Sequence, residues 1–129
     1  MNLTKITTEP DWYEPYAISL GVRAGDLVFV SGQAAVDEHG ETVGAGDFDQ
    51  QARQAFANLE RVLHAAGSDL GHVAKVTILV TDMTVIDRVI ALRREYFREP
   101  YPADTIAQVA ALARPEWMIE IEAVAVVAG

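Results

Sequence analysis

Three carboxylates toward the C-terminus, Asp104, Glu120 and Glu122, are the residues best suited to acid–base chemistry. Glu120 and Glu122 alternate within Ile119-Glu120-Ile121-Glu122-Ala123, so a strand there presents both on one face, beside an apolar tail with no use for charge. Each needs a partner. A basic side chain such as Lys75, Arg23 or Arg114 would make a structural ion pair, the reading favoured for Glu122, whereas a water or ligand amine would make Glu120 a general base. Asp104 follows Pro102-Ala103. It is either a solvated turn residue or a second carboxylate in the cleft of Glu120, where two close carboxyls would share a proton and divide into an acid and a base.

Other polar candidates stand at turns. Ser31-Gly32 follows the apolar stretch Leu27-Val28-Phe29-Val30, where the Ser31 hydroxyl and the Gly32 amide are candidate donors to a ligand. No His or Lys adjoins Ser31, so it reads as an anchor rather than a nucleophile, or as a turn hydroxyl bonded to its own backbone. Tyr16 is placed to close a pocket and offer its hydroxyl. Arg114, in Ala113-Arg114-Pro115-Glu116-Trp117, is either a solvated loop residue or a cation turned inward, and Trp117 lines a cleft mouth or a subunit contact. His39, His64 and His72 lack the spacing of a metal site, and neither a metal nor another cofactor is expected. Gly44-Ala45-Gly46 has no preceding strand and no following Lys, and so reads as a turn rather than a phosphate cradle.

The elements that must position these residues follow from periodicity. Residues 16–23 and 27–31 read as strands joined by Ala24-Gly25-Asp26, and residues 41–43 as part of a ragged edge hairpin. From Phe48 to Ala66 the apolar positions step by three and four, an amphipathic helix with Asp47 as N-cap and Gly67 at its end. Residues 73–80 read as a β-branched strand. A second helix, capped by Asp82 or Thr84, covers residues 85–97 and stops before Pro100. Residues 103–109 and 118–127 close the chain as strands. The order predicts one α+β domain, residues 1–129, with two helices on one face of a sheet. Residues 123–128 are apolar on both faces, as in a strand whose second face is covered by a partner subunit.

Composition narrows the function. The chain has 129 residues, 50% of them apolar, and no cysteine, enough for one core and no disulfide framework. Ten Lys plus Arg against 19 Asp plus Glu give a net charge of −9 without a basic stripe, which disfavours nucleic acid. The longest apolar run is far short of a membrane span, and the N-terminus lacks a signal-like stretch, so a cytoplasmic protein is expected.

Several stretches together resemble the RidA/YjgF family of reactive-intermediate imine deaminases, also labelled endoribonuclease L-PSP. They are Glu14-Pro15-Tyr16, Gly25 through Gln33, Asn58-Leu59, Ala65-Ala66-Gly67, Val80-Thr81-Asp82-Met83, Tyr96-Phe97, Pro102-Ala103 and Ile119 through Ala123, spanning nearly the whole chain. The resemblance implies a chorismate-mutase-like subunit, a barrel-cored homotrimer, and clefts between subunits in which Tyr16, Ser31 and Glu120 match family site positions. Two positions depart from the pattern. Asp104 stands where the family has an Arg that clamps a substrate carboxylate, and Ile90 where it often has an Asn. The implied activity is hydrolysis of an enamine- or imine-type metabolite, with Glu120 and Asp104 as catalytic candidates and Tyr16, Ser31, Gly32, Arg114 and Trp117 as binding candidates. Because Asp104 would repel a carboxylate, a neutral or cationic substrate is expected. The alternative is a metabolite-binding or regulatory trimer that needs the cleft but neither acid nor base.

Overall fold

A computed structural model describes residues 2–128. Six strands, β1 (Leu3–Ile6), β2 (Gly21–Ala24), β3 (Leu27–Gln33), β4 (Val73–Val80), β5 (Ala103–Gln108) and β6 (Ile119–Val126), form one sheet in the order β1-β2-β3-β6-β4-β5. All neighbours are antiparallel except β4 and β5, which run parallel. Parallel neighbours need a crossover, and α2 (Ile86–Tyr96) supplies it.

The first helix, α1 (Phe48–Ala65), starts where the Asp47 carboxylate accepts the Gln50 amide at 3.0 Å. Past its end Gly67 has φ +78°, a left-handed conformation that L side chains rarely adopt. Its buried stripe, Ala52, Ala55, Phe56, Leu59, Val62 and Leu63, packs on the sheet face made by Val28, Val30, Val76, Ile78, Val80, Ile119, Ile121, Ala123 and Ala125. Phe56 stacks on Tyr96 at 4.3 Å and meets Phe97 edge-on, which ties α2 to α1.

Strand alternation places Leu27, Phe29, Val124, Val126, Glu120 and Glu122 on the opposite sheet face, which no helix of the described chain covers. Leu27 and Phe29 are 43% and 45% exposed there.

The structure adds one strand to those expected and corrects two expectations. The N-terminal residues, which carry no strong apolar pattern, pair with β2 as edge strand β1. The strand expected from residue 16 begins only at Gly21, because Glu14–Tyr16 form a short 3-10 turn ended by Ala17 at φ 58°. The edge hairpin expected around residues 41–43 is a single bridge, Val36 with Thr42, within an irregular loop.

Candidate functional site

The open face of β6 carries the site. The β3–β6 ladder shifts register between Val30 and Gln33, so Ser31 and Gly32 stand outside the regular pairing, the kind of local irregularity that re-aims side chains beside active sites. The Glu120 carboxylate lies over Gly32. A Cβ at residue 32 would sit 2.8 Å from the Glu120 carboxyl carbon, so only glycine allows this placement.

Neither Glu120 nor Glu122 makes a salt bridge among the described residues. The bases that could have paired with them are engaged elsewhere: Lys75 donates to Thr105, Arg23 to the Gly25 carbonyl, and Arg114 to Gly40 and Thr42. Partial burial, reinforced by the charge of Glu122, pushes the Glu120 carboxyl above the usual range for glutamate.

Around Glu120, three segments close a cleft of about 570 Å³. The first is the turn before β2. Asp11 accepts the Tyr13 and Glu14 amides, which turns the buried Tyr13 inward to donate its hydroxyl to the Gly32 carbonyl. Burial and the nearby Glu120 charge raise the Tyr13 phenol to about 12, so it stays a donor at any working pH. Behind it Trp12 donates to the Gln33 side chain, which in turn donates to the Ser31 carbonyl. Tyr16, one turn further along, stands exposed at the mouth.

The other two segments are the loop after β3 and the loop before β6, joined by side chains. Gln51 of α1 is fully buried; its amide nitrogen donates to the Gly44 and Glu116 carbonyls while its oxygen accepts the Met118 amide. The Thr42 hydroxyl donates to Glu116 and accepts from Trp117 and Arg114. Arg114 also donates to the Gly40 carbonyl at 2.8 Å and stacks over Trp117, with 5.1 Å from guanidinium to ring centre. Arg114 thus turns into the cleft.

Of the residues singled out in the sequence, Tyr16, Ser31, Gly32, Arg114, Trp117, Glu120 and Glu122 line this one cleft. The Ser31 hydroxyl spends its proton on the Ser19 carbonyl at 2.6 Å, leaving it an acceptor rather than the donor expected. Asp104 lies elsewhere. It pairs in register with Val76 and Glu120 with Leu79, three residues apart on β4, so the two carboxylates project from opposite sheet faces with roughly 14 Å between backbones. The paired-carboxylate arrangement is therefore not formed within the chain. Asp104 instead takes a two-pronged ion pair from Arg93 of α2, at 2.8 and 2.7 Å, in a second, smaller cleft that also includes Ile90 and Tyr101.

Trp12, Tyr13 and Thr42 were missed. Tyr13 stands three residues before Tyr16, the repeat of a 3-10 turn, but a strand assignment beginning at Tyr16 leaves no turn to carry it. Among the described residues no group of three or more His, Asp or Glu side chains is placed to hold a metal, and no helix is long and apolar enough to cross a membrane.

An α+β subunit with one helix-covered sheet face and a carboxylate-floored cleft on the other defines the class. The sequence model of the family described as endoribonuclease L-PSP matches residues 6–127, and the chain belongs to this family, the RidA/YjgF group. Among similar proteins, mouse 2-iminobutanoate/2-iminopropanoate deaminase is 37% identical over 120 residues, covering 93% of this chain and 87% of that protein. The solved structure of YyfA from Yersinia pestis, described as a Rid-family protein of unknown function, superposes with a TM-score of 0.88 at 28% identity and covers 98% of this chain and all of that one. RidA from an Antarctic Psychrobacter gives 0.79 at 33% identity, over 84% and 87% of the two chains.

Proposed function

We propose that this protein hydrolyses an imine, or the enamine that tautomerises to it, with Glu120 as general base. The observation that carries the reading is a carboxylate of raised pKa on the floor of an aromatic-walled cleft, without an ion-pair partner among the described residues, above a glycine that makes room for it. The relationship to imine deaminases supports the reaction class.

In this reaction Glu120 takes a proton from water as the oxygen bonds to the C=N carbon, and the π pair moves to nitrogen, which gains a proton from solvent or from the protonated Glu120. The carbinolamine then breaks its C–N bond. For this the nitrogen takes a second proton from solvent, the hydroxyl gives its proton to the Glu120 carboxylate or to solvent as the C–N bond breaks, ammonia departs and a carbonyl remains, so one imine and one water give one ketone and one ammonia. A positioned general base contributes typically ~10²–10⁴-fold, and pre-orientation of the substrate by the Tyr16 hydroxyl and the Gly32 backbone would add to it.

We further propose a homotrimer whose subunits cover the open sheet face, because Leu27, Phe29, Val124 and Val126 leave a contiguous apolar surface there. Asp104 reaches Glu120 only if a neighbouring subunit brings it, and it would arrive with its charge already met by Arg93. The expectation of a neutral or cationic substrate, which rested on Asp104 as a free charge, loses that support.

The test is turnover of an imine generated in place by an amino-acid oxidase, read as faster ammonia release on adding the protein. Acceleration supports the reading. Thermal stabilisation by the product ketone without any acceleration would favour a binding module instead.

A further inference from the structure

Arg114 is the one arginine among the described residues that lines the cleft of Glu120. Arg53, Arg61, Arg88 and Arg93 each meet a carboxylate, whereas Arg23, Arg94, Arg98 and Arg114 meet none among the described residues, and of these four only Arg114 lines the cleft that holds Glu120, where it is partly buried. Its hold on the protein is one-sided. Nη1 donates to the Gly40 carbonyl and more weakly to Thr42, and the ring of Trp117 lies against the guanidinium plane. Nη2 has only a long contact, 3.4 Å, to the Tyr16 hydroxyl, and Nε donates to nothing among the described residues. The Nε–Nη2 edge is the side-on fork that fits a planar carboxylate with two parallel hydrogen bonds. Arg114, Glu120 and Tyr13 line the same cleft, so the anchor and the base face one space.

The walls of that space are Trp12, Tyr13, Tyr16, Ile18, Val36 and Trp117. A volume of about 570 Å³ falls in the range of pockets that enclose drug-sized ligands. A three- or four-carbon acid would leave most of the aromatic wall facing water.

We infer that Arg114 is a specificity-determining residue, and that the ligand of this cleft joins a planar carboxylate, forked by Arg114, to an aromatic or extended apolar body lying along Trp117 and Trp12. This deepens the imine-hydrolase reading and rests on it for the reaction, though not for the binding chemistry. The anchor comes from the loop before the last strand of the same chain, so it works without reference to Asp104.

The experiment is calorimetric titration of the intact protein with 3-phenylpropanoate, its uncharged amide 3-phenylpropanamide, and propanoate, repeated on Arg114→Gln, Arg114→Lys and Glu120→Gln. Wild type is expected to bind 3-phenylpropanoate at least tenfold more tightly than either of the others. Arg114→Gln should bring the carboxylate and amide to within about twofold of each other, Arg114→Lys should fall between because it keeps the charge and loses the fork, and Glu120→Gln should keep the full preference. In turnover of the imine formed in place from phenylalanine, Arg114→Gln should raise KM about tenfold or more with kcat changed little. Equal affinity for acid and amide in wild type, no detectable binding of either, or an unchanged preference in folded Arg114→Gln and Arg114→Lys would overturn the inference. Carboxylate preference that depends on Arg114 in a protein that hydrolyses no imine would sink the proposed reaction and leave this inference standing. Imine hydrolysis without that preference would do the reverse.

Discussion

At Gly32 the site depends on a missing side chain, since the Glu120 carboxyl group occupies the space a Cβ would need. Gly32→Ala must therefore displace Glu120, and a shift of about 1 Å in a reacting group can cost ~10²-fold. We expect kcat for imine hydrolysis to fall about 10- to 100-fold with only a small loss of thermal stability, measured by steady-state kinetics beside a melting curve; unchanged kcat would show that Glu120 is not positioned by this contact. The raised pKa of Glu120 gives a second prediction at the same scale. Below that pKa the carboxyl is protonated and cannot accept a proton from water, so kcat/KM should drop on the acid side with a midpoint above the usual ~4.3 of glutamate. Tyr13, raised to about 12, adds no limb in the neutral range. The stability consequence has the opposite sense. A carboxyl raised in the folded state destabilises the fold as it ionises, so Glu120→Gln should melt higher than wild type at neutral pH and lose that advantage in acid.

Among the elements, α1 reaches the site through one buried amide. Gln51 holds the loop after β3 and the loop before β6 with three hydrogen bonds, and Gln51→Leu would leave the Met118 amide and the Gly44 and Glu116 carbonyls short of a partner. The expected cost is about 2–3 kcal/mol, seen as a lowered denaturation midpoint, with weaker ligand binding because Arg114 and Trp117 lie on the loosened segment. The helix itself was legible from sequence, as were β3, β4, β5 and β6, because an amphipathic stripe and β-branched runs report directly which face is buried. β1 was not, since its residues are mostly exposed and gain their place only by pairing with β2. The site divides along the same line. Glu120 announces itself as a charge on an otherwise apolar strand. Arg114 could be seen only as a loop cation of either orientation, because the Gly40, Thr42 and Trp117 contacts that turn it inward span more than 70 residues or depend on ring stacking. The Asp104–Glu120 pairing failed within the chain because facing the same way depends on strand register, and a three-residue offset across β4 puts the two on opposite faces.

For the molecule as a whole, the sheet has one face covered by helices and one open face with an apolar patch at Leu27, Phe29, Val124 and Val126, and burying that patch should drive assembly. Light scattering at micromolar concentration should give about three times the 14.0 kDa of the chain. A charge placed in the middle of that face, as in Phe29→Asp, should lower the mass toward one chain and lower the melting temperature, since a lone carboxylate cannot be buried without a partner. A monomeric wild type would remove the trimer from the account and leave the cleft of the single chain intact. The central claim, that the carboxylate on the cleft floor drives imine hydrolysis, is tested most directly by ammonia release from an oxidase-generated imine with wild-type protein and with Glu120→Gln at equal concentration. We predict acceleration by wild type and at least a 100-fold loss in Glu120→Gln, in a variant that melts no lower; equal rates for the two folded proteins, or no acceleration by wild type, would contradict it.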